Sequence, residues 1–437
     1  MADLKQAALR IAGETLAAID IPSTMRRKLA RAGSIIHVHD AECDLAVFER
    51  IHVIAIGKAS VAMAQGISDV LSPGFRADGI VVTPFPAKNV PPDFRVIVAG
   101  HPFPDEGSFA AGRAILDLLA ETRERDLVFF LLSGGGSALV EQPLDPGVTL
   151  GDIKELNRSL VTCGGSIDEI NAVRKHLSAV KGGRLAVAAS AAMKITLGIT
   201  DVPDGQESAL ASGPTLPDPT TVRDACGVID RYGLLSKLPV RIRAQFENPD
   251  SIPETPKAAH PAFVRAEFQI LLGRHDLFHP AHRAAEAAEF ITVCDNTTDD
   301  WPVGRATDFL LAQLAELKAV NPGRAVAVIA DGEVSSPVTG DGIGGRNSAF
   351  VLDCAGKIAG RKIAVLSLGT DGIDGSSPAA GAVADGETLA RAQARRLDPA
   401  EYFRRSDSYS FFQKLGDAIV TGPTGNNLRD LRILLAE

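Results

Sequence analysis

The sequence is poor in cysteine, has no long apolar run and carries no excess of positive charge. Its 437 residues include 5 cysteines with no C-x-x-C pair, which disfavours a disulfide framework or a cysteine metal site. No segment approaches the roughly 18 uninterrupted apolar residues of a membrane helix, and the start has the pattern of an amphipathic helix rather than of a signal peptide. A formal net charge of −9 argues against non-specific binding to nucleic acid or membrane surfaces. We therefore expect a cytoplasmic protein whose partners are small molecules.

The chain alternates short apolar runs with segments of helical spacing. The segments at 109–124 and 305–320, for example, are rich in alanine and leucine at the helical period. Such alternation is typical of an α/β fold, in which largely parallel sheets are covered by helices on both faces. Strands are predicted at 51–56, 79–83, 95–98, 127–132, 194–200, 268–272, 325–330 and 362–368.

A polar, proline-rich segment at 248–257 is the best candidate for a linker, because domain boundaries usually fall in exposed segments of this composition. It predicts two α/β domains, one spanning residues 1–255 and the other 256–437. A last strand is predicted at 430–435. The sequence leaves open whether that strand joins the second domain or packs back on the first.

Two glycine-containing loops directly follow predicted strands of the first domain. Ser133-Gly134-Gly135-Gly136-Ser137 follows the run at 127–132, and its backbone N–H groups and hydroxyls would form a cradle for an anion. A plain strand-to-helix turn would not need three consecutive glycines, which cost conformational entropy. Gly57-Lys58 ends the run at 51–56, where the lysine is either a phosphate ligand or an ordinary solvated side chain. We favour phosphate binding for both loops.

Carboxylates follow three other predicted strands. Asp201 comes directly after the run at 194–200, Glu333 follows the run at 325–330, and Asp371 lies in a glycine-rich loop after the run at 362–368. An aspartate at the end of a strand is a common ligand for Mg²⁺ or for a substrate hydroxyl. It is equally common as the cap of a turn, so each of these positions taken alone is a weak signal.

Two further patterns have competing interpretations. A predicted helix places Asn171, Arg174 and Ser178 on one face, and this face is either hydrated or lines a ligand site. The segment Gly340-Asp341-Gly342-Ile343-Gly344-Gly345 satisfies G-x-G-x-x-G, but it does not follow its strand immediately, as a dinucleotide-binding fingerprint should. We interpret it as a loop that approaches phosphate, with Arg346 able to clamp the phosphate in a two-pronged manner. Hydride transfer from a nicotinamide cofactor is the alternative.

Motifs in order along nearly the whole chain resemble those of the glycerate 2-kinase family. The carboxy-terminal part of that family is called the MOFRL domain, and some members carry the name hydroxypyruvate reductase through association with tartrate breakdown. The motifs are Gly57-Lys58-Ala59, Gly100-His101-Pro102-Phe103-Pro104, Ser133-Gly134-Gly135-Gly136-Ser137-Ala138, Ser212-Gly213-Pro214-Thr215, Gly344-Gly345-Arg346-Asn347, Gly369-Thr370-Asp371-Gly372-Ile373-Asp374-Gly375 and Thr421-Gly422-Pro423-Thr424-Gly425-Asn426-Asn427.

The resemblance implies a kinase that transfers the γ-phosphoryl group of ATP to the 2-hydroxyl of D-glycerate and forms 2-phosphoglycerate. It also implies a Rossmann-like N-terminal domain and a MOFRL-type C-terminal domain, with the active site in the cleft between them. One departure is visible, because the family often has glutamine after Arg-Asn where this chain has Ser348. A substrate contact at Ser348 would affect specificity.

The resemblance also implies roles for individual residues. Lys58 and Arg346 match the family's active-site lysine and arginine, Asp201, Glu333 and Asp371 match acidic positions facing the cleft, and Ser133–Ser137 match the nucleotide-side loop.

Several roles stay open at this stage. ATP and Mg²⁺ are the expected cofactors; Asp201 or Asp371 would hold Mg²⁺, and the other would accept the proton of the attacking hydroxyl. Glu333, Asn347 and Arg174 are predicted to bind substrate. The acceptor is open among glycerate, tartronate and related hydroxy acids, and a homodimer is one assembly that the sequence allows. The rival functions are an NAD(P)H-dependent hydroxypyruvate reductase and a non-catalytic sugar-acid sensor.

Overall fold

The structure is a computed structural model that describes residues 3–39, 41–87, 90–200, 202, 205–273, 275–426 and 428–437. The predicted site residue Asp201 lies outside these ranges. No helix in the described part of the chain is long and apolar enough to cross a membrane.

Every predicted strand is present, with ends within 2 residues of the prediction. The strands are β1 (Ile35–Val38), β2 (Ala41–Asp44), β3 (Arg50–Ile56), β4 (Asp78–Thr83), β5 (Phe94–Val98), β6 (Asp126–Leu132), β7 (Met193–Ile199), β8 (Ala266–Leu272), β9 (Ile291–Asp295), β10 (Val326–Ala330), β11 (Ile363–Gly369), β12 (Gly381–Asp385), β13 (Ala418–Ile419) and β14 (Asp430–Ala436). The helices are α1 (Leu4–Ala18), α2 (Ile21–Lys28), α3 (Ser60–Leu71), α4 (Glu106–Ala120), α5 (Gly136–Leu139), α6 (Leu150–Val161), α7 (Ile167–Leu177), α8 (Arg184–Ala188), α9 (Val222–Arg231), α10 (Val240–Glu247), α11 (His275–Ala287), α12 (Val303–Val320), α13 (Arg346–Lys357), α14 (Thr388–Ala394), α15 (Pro399–Arg404) and α16 (Ser408–Leu415).

The chain forms two compact units whose limits differ from the predicted domains. The N-terminal unit contains Ile21–Leu271, and the C-terminal unit contains Met1–Asp20 together with Leu272–Glu437. The first helix, α1, belongs to the C-terminal unit because its buried residues, among them Leu4, Ala8 and Ile11, pack it against β11 and β14.

The boundary predicted at residue 255 does not coincide with the division between the units. Ile252 is buried in a helical core of the N-terminal unit, and the Glu254 carboxylate accepts the Val222 backbone N–H at 2.9 Å. The chain then continues into β8, which lies beside β7 in the same sheet. The proline-rich segment is therefore packed against its own unit and does not act as a free linker.

The sheet of the N-terminal unit has the strand order β5-β4-β3-β6-β7-β8. The pairs from β5 through β7 are parallel, and all seven residues of β6 are buried, as expected for a parallel sheet covered by helices. The chain runs outward from β3 to β5 and then returns to the other side of β3 with β6. This is the Rossmann-like order that the resemblance implied.

The sheet of the C-terminal unit is mixed, and here the prediction of a largely parallel sheet is wrong. Its order is β13-β12-β11-β14-β10-β9. The last strand, β14, lies between β11 and β10 and is antiparallel to both, so it does not pack back on the N-terminal unit. Strand β12 was missed because its glycine and alanine residues are poor strand formers. One consequence is that β14 starts at the edge where β10 and β11 end.

One apolar core of the C-terminal unit packs α12, α13 and α16 against this sheet. Leu310 of α12, Phe350 of α13 and Phe411 of α16 meet Val328 and Val365 of the strands in one buried cluster. This packing fixes helix α13, whose first residue, Arg346, directly follows the G-x-G-x-x-G segment at 340–345.

Candidate active site

Lys58 lies beside the segment Ser133–Ser137, called the glycine-rich loop from here on. The two meet where strands β3 and β6 end side by side. Ile56 and Leu132, the last residues of these strands, are paired in the sheet. The Lys58 backbone N–H donates to the Gly134 carbonyl at 3.0 Å. The strand order reverses between β3 and β6, and doubly wound sheets bind ligands in the crevice at such a reversal. The structure therefore joins two loops that the sequence singled out separately.

Close packing explains two of the glycines in these loops. Gly57 has φ +128°, and a Cβ there would lie 2.1 Å from Oγ of Ser133. Gly135 has φ +86°, and a Cβ there would lie 3.0 Å from Cδ2 of His101 and 3.6 Å from Cγ of Lys58. Both conformations disfavour any residue with a side chain. His101 is thus a neighbour of the loop that the sequence did not assign to the site.

A pocket opens beside the glycine-rich loop. It contains about 490 Å³ of empty space, part of it open to solvent. Its polar lining comes from His101, Ser137, Glu141, Asn157 and Arg174. Three predicted site residues, Gly135, Ser137 and Arg174, therefore share one cavity.

Arg174 of α7 is held in this pocket by Asn157 of α6. Its Nε donates to the Asn157 side-chain oxygen at 2.7 Å, and it forms no salt bridge within the described ranges. Burial lowers the pKa of Arg174, and the nearby charge of Glu141 opposes that shift. An arginine nonetheless keeps its proton at neutral pH, so the guanidinium presents a positive charge to the cavity.

Glu141 acts on Arg174 only at a distance, because its oxygens are hydrogen-bonded to other residues. Lys181 donates from Nζ to Oε2 at 2.5 Å, and Ser178 donates from Oγ to Oε1 at 2.6 Å. Glu141 and Lys181 are both buried and form a locally neutral pair. The pocket consequently retains the one positive charge of Arg174.

A hydroxyl chain ties the glycine-rich loop to α7. Oγ of Ser137 lies 2.7 Å from Oγ of Ser212, and the Ser212 hydroxyl donates to the Asn171 side-chain oxygen at 3.0 Å. Ser212 and its neighbour Ala211 have positive φ angles of 61° and 50°, which non-glycine residues rarely adopt. The Ser212-Gly213 motif therefore links the glycine-rich loop to α7 through hydrogen bonds.

The C-terminal unit holds Arg346 in a different way. Arg346 donates from Nε and Nη2 to the two carboxylate oxygens of Asp430, at 2.5 and 3.2 Å, and from Nη1 to Glu333 at 2.7 Å. Burial alone would lower the pKa of Arg346, but Asp430 and then Glu333 more than offset this, so the pKa is raised. The two-pronged interaction that was expected with a phosphate is made here with the carboxylate of Asp430.

Asp374 fixes the start of α13 and hence the position of Arg346. Its carboxylate oxygens accept the backbone N–H groups of Asn347 and Ser348, both at 2.9 Å, and the Ser348 hydroxyl at 2.5 Å. Ser348 is 1% exposed, and a substrate contact at this position stays a prediction. Its hydroxyl belongs to the cap of the helix.

The other predicted residues of this unit lie around the end of β11. A Cβ on Gly369 would stand 3.2 Å from Oδ1 of Asp371 and 3.5 Å from Oδ1 of Asp430, which places Asp371 next to the Arg346–Asp430 pair. Asn347 is buried, and its side-chain oxygen accepts the Ser367 hydroxyl at 2.5 Å. That contact attaches α13 to β11, and a substrate-binding role for Asn347 stays a prediction.

The G-x-G-x-x-G segment is explained by packing. A Cβ on Gly340 would lie 2.5 Å from the Arg405 carbonyl oxygen, and one on Gly342 would lie 2.4 Å from Cβ of Asp407. Helix α13 starts only after this segment, and β10 ends well before it. The arrangement of a strand, a tight glycine turn and a helix that binds a dinucleotide is therefore not formed here.

Several contacts of the site were missed at the sequence level. Asp430 gives no signal of this kind in the sequence, because it begins an antiparallel strand and does not follow one. Asn157 and Glu141 showed no signal in the sequence. Asp374 was visible as the second carboxylate of the Asp-Gly-Ile-Asp-Gly repeat, which was a usable clue.

No group of three or more His, Cys, Asp or Glu side chains suited to a metal ion occurs in the described ranges. Kinases usually hold Mg²⁺ through one or two carboxylates plus substrate phosphates. The carboxylate of Asp371 has the right donor chemistry for that smaller contribution.

Comparisons with known proteins agree with this architecture. Residues 7–247 match the family described as domain of unknown function DUF4147, and residues 326–430 match the MOFRL family. The chain is 38% identical over 389 residues to a D-glycerate 2-kinase of Thermotoga maritima, covering 88% of this chain and 90% of that protein. A protein of Agrobacterium vitis with the provisional name hydroxypyruvate reductase is 38% identical over 395 residues, which is 88% of this chain and 87% of that protein.

A crystal structure of a glycerate kinase from Thermotoga maritima superposes with a TM-score of 0.85 at 34% identity and covers 99% of both chains. Because the matches extend over both units and most of the length, the chain belongs to the glycerate 2-kinase family with DUF4147 and MOFRL regions.

Proposed function

We propose that this chain is an ATP-dependent glycerate 2-kinase. The observation that carries the proposal is the meeting of Lys58 and the glycine-rich loop at the reversal point of a Rossmann-like sheet, in a member of this family. A lysine beside backbone N–H groups suits the polyphosphate of ATP.

In the proposed reaction the 2-hydroxyl oxygen of D-glycerate attacks the γ-phosphorus. The new O–P bond forms as the bond from the γ-phosphorus to the bridging oxygen breaks, and ADP leaves. The hydroxyl proton passes to a carboxylate, for which Asp371 and Asp201 are the candidates. Lys58 neutralises charge on the transferred group, and Arg346, whose own charge is largely balanced by Asp430 and Glu333, contributes less of this neutralisation. Placement and charge neutralisation are most of what phosphoryl transfer requires from a protein.

Magnesium is the metal that this chemistry favours, with Asp371 or Asp201 as its proposed protein ligand and the other aspartate as the proton acceptor. When bound, the ion would neutralise phosphate charge. This matters because Arg346 already faces the carboxylates of Asp430 and Glu333 and has little charge to spare for phosphate.

The reductase is the weaker candidate. The glycine pattern at 340–345 lacks the strand-turn-helix context, as described above. The Asp105 carboxylate, which would have to pair with His101 in such a reductase, accepts the Ser108 N–H at 3.0 Å as a helix cap.

The test is an incubation of the full chain with ATP, Mg²⁺ and D-glycerate, followed by phosphorus NMR. A 2-phosphoglycerate signal is expected, and L-glycerate provides the matched control. A 3-phosphoglycerate signal would keep a kinase but refute the position of transfer. NADH consumption with hydroxypyruvate and no phosphoryl transfer would favour the reductase, and glycerate binding without turnover would favour the sensor.

A further inference from the structure

The pocket beside the glycine-rich loop has a role beyond phosphate binding. Lys58 and the loop backbone account for the phosphate side of the proposed reaction, but they leave the cavity under α7 unexplained. Gly135 lines that cavity and is also packed next to Lys58. A ligand in the pocket would thus lie next to the lysine that is proposed to act on the phosphoryl group.

The charge in the pocket is unbalanced and fixed in place. Arg174 contributes a guanidinium, while the carboxylate of Glu141 is bound by Lys181 and Ser178. The side-chain oxygen of Asn157 accepts the hydrogen bond from Nε of Arg174. This contact leaves the two terminal nitrogens, Nη1 and Nη2, in the planar arrangement that binds a carboxylate through two parallel hydrogen bonds.

We infer that this pocket binds the carboxylate of the 2-hydroxy acid substrate, with Arg174 as the binding residue and Asn157 as its positioning residue. The inference rests on the proposed function for the identity of the substrate. It makes the enzyme selective for small hydroxy acids over uncharged polyols, because an acceptor without a carboxylate leaves the half-buried guanidinium of Arg174 without an anionic partner. A phosphate oxygen of ATP presents similar chemistry, and the experiment separates the two sources.

The experiment compares steady-state kinetics of four variants of the full chain. Arg174→Gln removes the charge, Arg174→Lys keeps the charge but loses the fork, and Asn157→Asp places a carboxylate against Nε and neutralises Arg174 from within. Arg158→Gln is the control, because Arg158 is an exposed neighbour of Asn157 on α6. Each variant is measured with glycerate varied at saturating ATP, with ATP varied at saturating glycerate, and with glycerol as an uncharged acceptor.

We expect Arg174→Gln and Asn157→Asp to raise KM for D-glycerate about 10- to 100-fold, the usual loss for hydrogen bonds to a charged group. The KM for ATP should stay within roughly twofold in the same variants. The preference for glycerate over glycerol should collapse in parallel, Arg174→Lys should retain part of it, and Arg158→Gln should match wild type. A merely structural role of Asn157 would not produce this separation between the two substrates.

Three results would overturn the inference. A raised KM for ATP with an unchanged KM for glycerate would assign the pocket to a phosphate group, unchanged kinetics in both Arg174 variants would deny it any anion, and no calorimetric binding of D-glycerate to the wild type would leave it without this ligand. Calorimetry without ATP also separates the two proposals. Arg174-dependent binding without turnover would uphold the pocket and refute the kinase, whereas a normal kcat together with a normal KM for glycerate in Arg174→Gln would do the reverse.

Discussion

Two arginines at the ends of the two sheets have opposite surroundings. Arg174 of the N-terminal unit has an amide partner, and burial lowers its pKa. Arg346 of the C-terminal unit is bound by two carboxylates, and they raise its pKa despite burial. The first is a charge available to an anion, whereas the charge of the second is already balanced inside the protein.

This difference indicates a ligand-binding role for Arg174 and a partly structural role for Arg346. A charge that is partly removed from water and has no ionic partner is costly, so the half-buried Arg174 is retained at some expense in stability and gains a partner when an anion binds. Arg346 and Asp430 stabilise each other, and the capped start of α13 keeps them in place. Loss of the Arg174 charge should therefore weaken ligand binding with little effect on stability. Loss of the Arg346 charge should also lower the free energy of unfolding.

The largest effect should come from Lys58→Ala. We expect kcat to fall about 10³-fold, the scale of one positioned cation in phosphoryl transfer, with little change in melting temperature. Lys154→Ala, at an exposed position of α6, is the matched control and should behave as wild type. Near-normal turnover in the Lys58 variant would remove it from the reaction.

The second test contrasts Arg346→Gln with Arg174→Gln in denaturant unfolding. Arg346→Gln leaves Asp430, whose side chain is 3% exposed, without its ionic partner, so we expect a loss of about 2–3 kcal/mol after allowing for the partial exposure of the guanidinium. Arg174→Gln loses one hydrogen bond to a neutral amide and should cost about 1 kcal/mol or less.

The double variant Arg346→Gln with Asp430→Asn sharpens this contrast. It removes the orphaned buried charge, so part of the lost stability should return while activity stays low. Equal losses in the two single arginine variants would show that their surroundings do not differ energetically.

A smaller, pH-dependent effect is expected at Asp374. Burial raises the pKa of Asp374 above its ordinary 3.8, against the opposing hydrogen bonds from Ser348 and Asn347. The folded state therefore binds this proton more readily than the unfolded state, so stability is gained as the pH falls through the raised pKa towards 3.8 and is lost as the pH rises through it.

Asp374→Asn should lose about 1–3 kcal/mol at neutral pH because a helix-capping acceptor is removed. The advantage of the wild type over this variant should widen in acid, as measured by urea unfolding across the carboxyl titration range. A constant difference across that range would contradict the raised pKa.

The fold was predictable where a strand is marked by the residue composition of its own short segment. Strand β6 is an unbroken apolar run and β11 is another, and such runs in alternation with helical segments indicate an α/β fold. The division into units was not predictable in the same way. The proline-rich segment at 248–257 looks like a linker, but Ile252 is taken into a core built by distant helices.

The site was predictable in its loops and not in its partners. Lys58, the glycine-rich loop and Arg346 stand out because glycine and lone charges at the ends of apolar runs are locally unusual. Asp430 and Asn157 do not, since each acquires its role from a residue 84 or 17 positions away in sequence.

The sequence by itself determined the strands, the loops that follow them and the family resemblance, since these depend on short-range composition and on motif order. Only the tertiary structure decided that β14 enters the middle of a mixed sheet, that α1 belongs with the far end of the chain, and that Arg174 keeps an open charge while Arg346 does not. Those outcomes depend on which side chains long-range packing brings within a few ångströms, and this proximity sets the charge that each arginine can offer to a ligand.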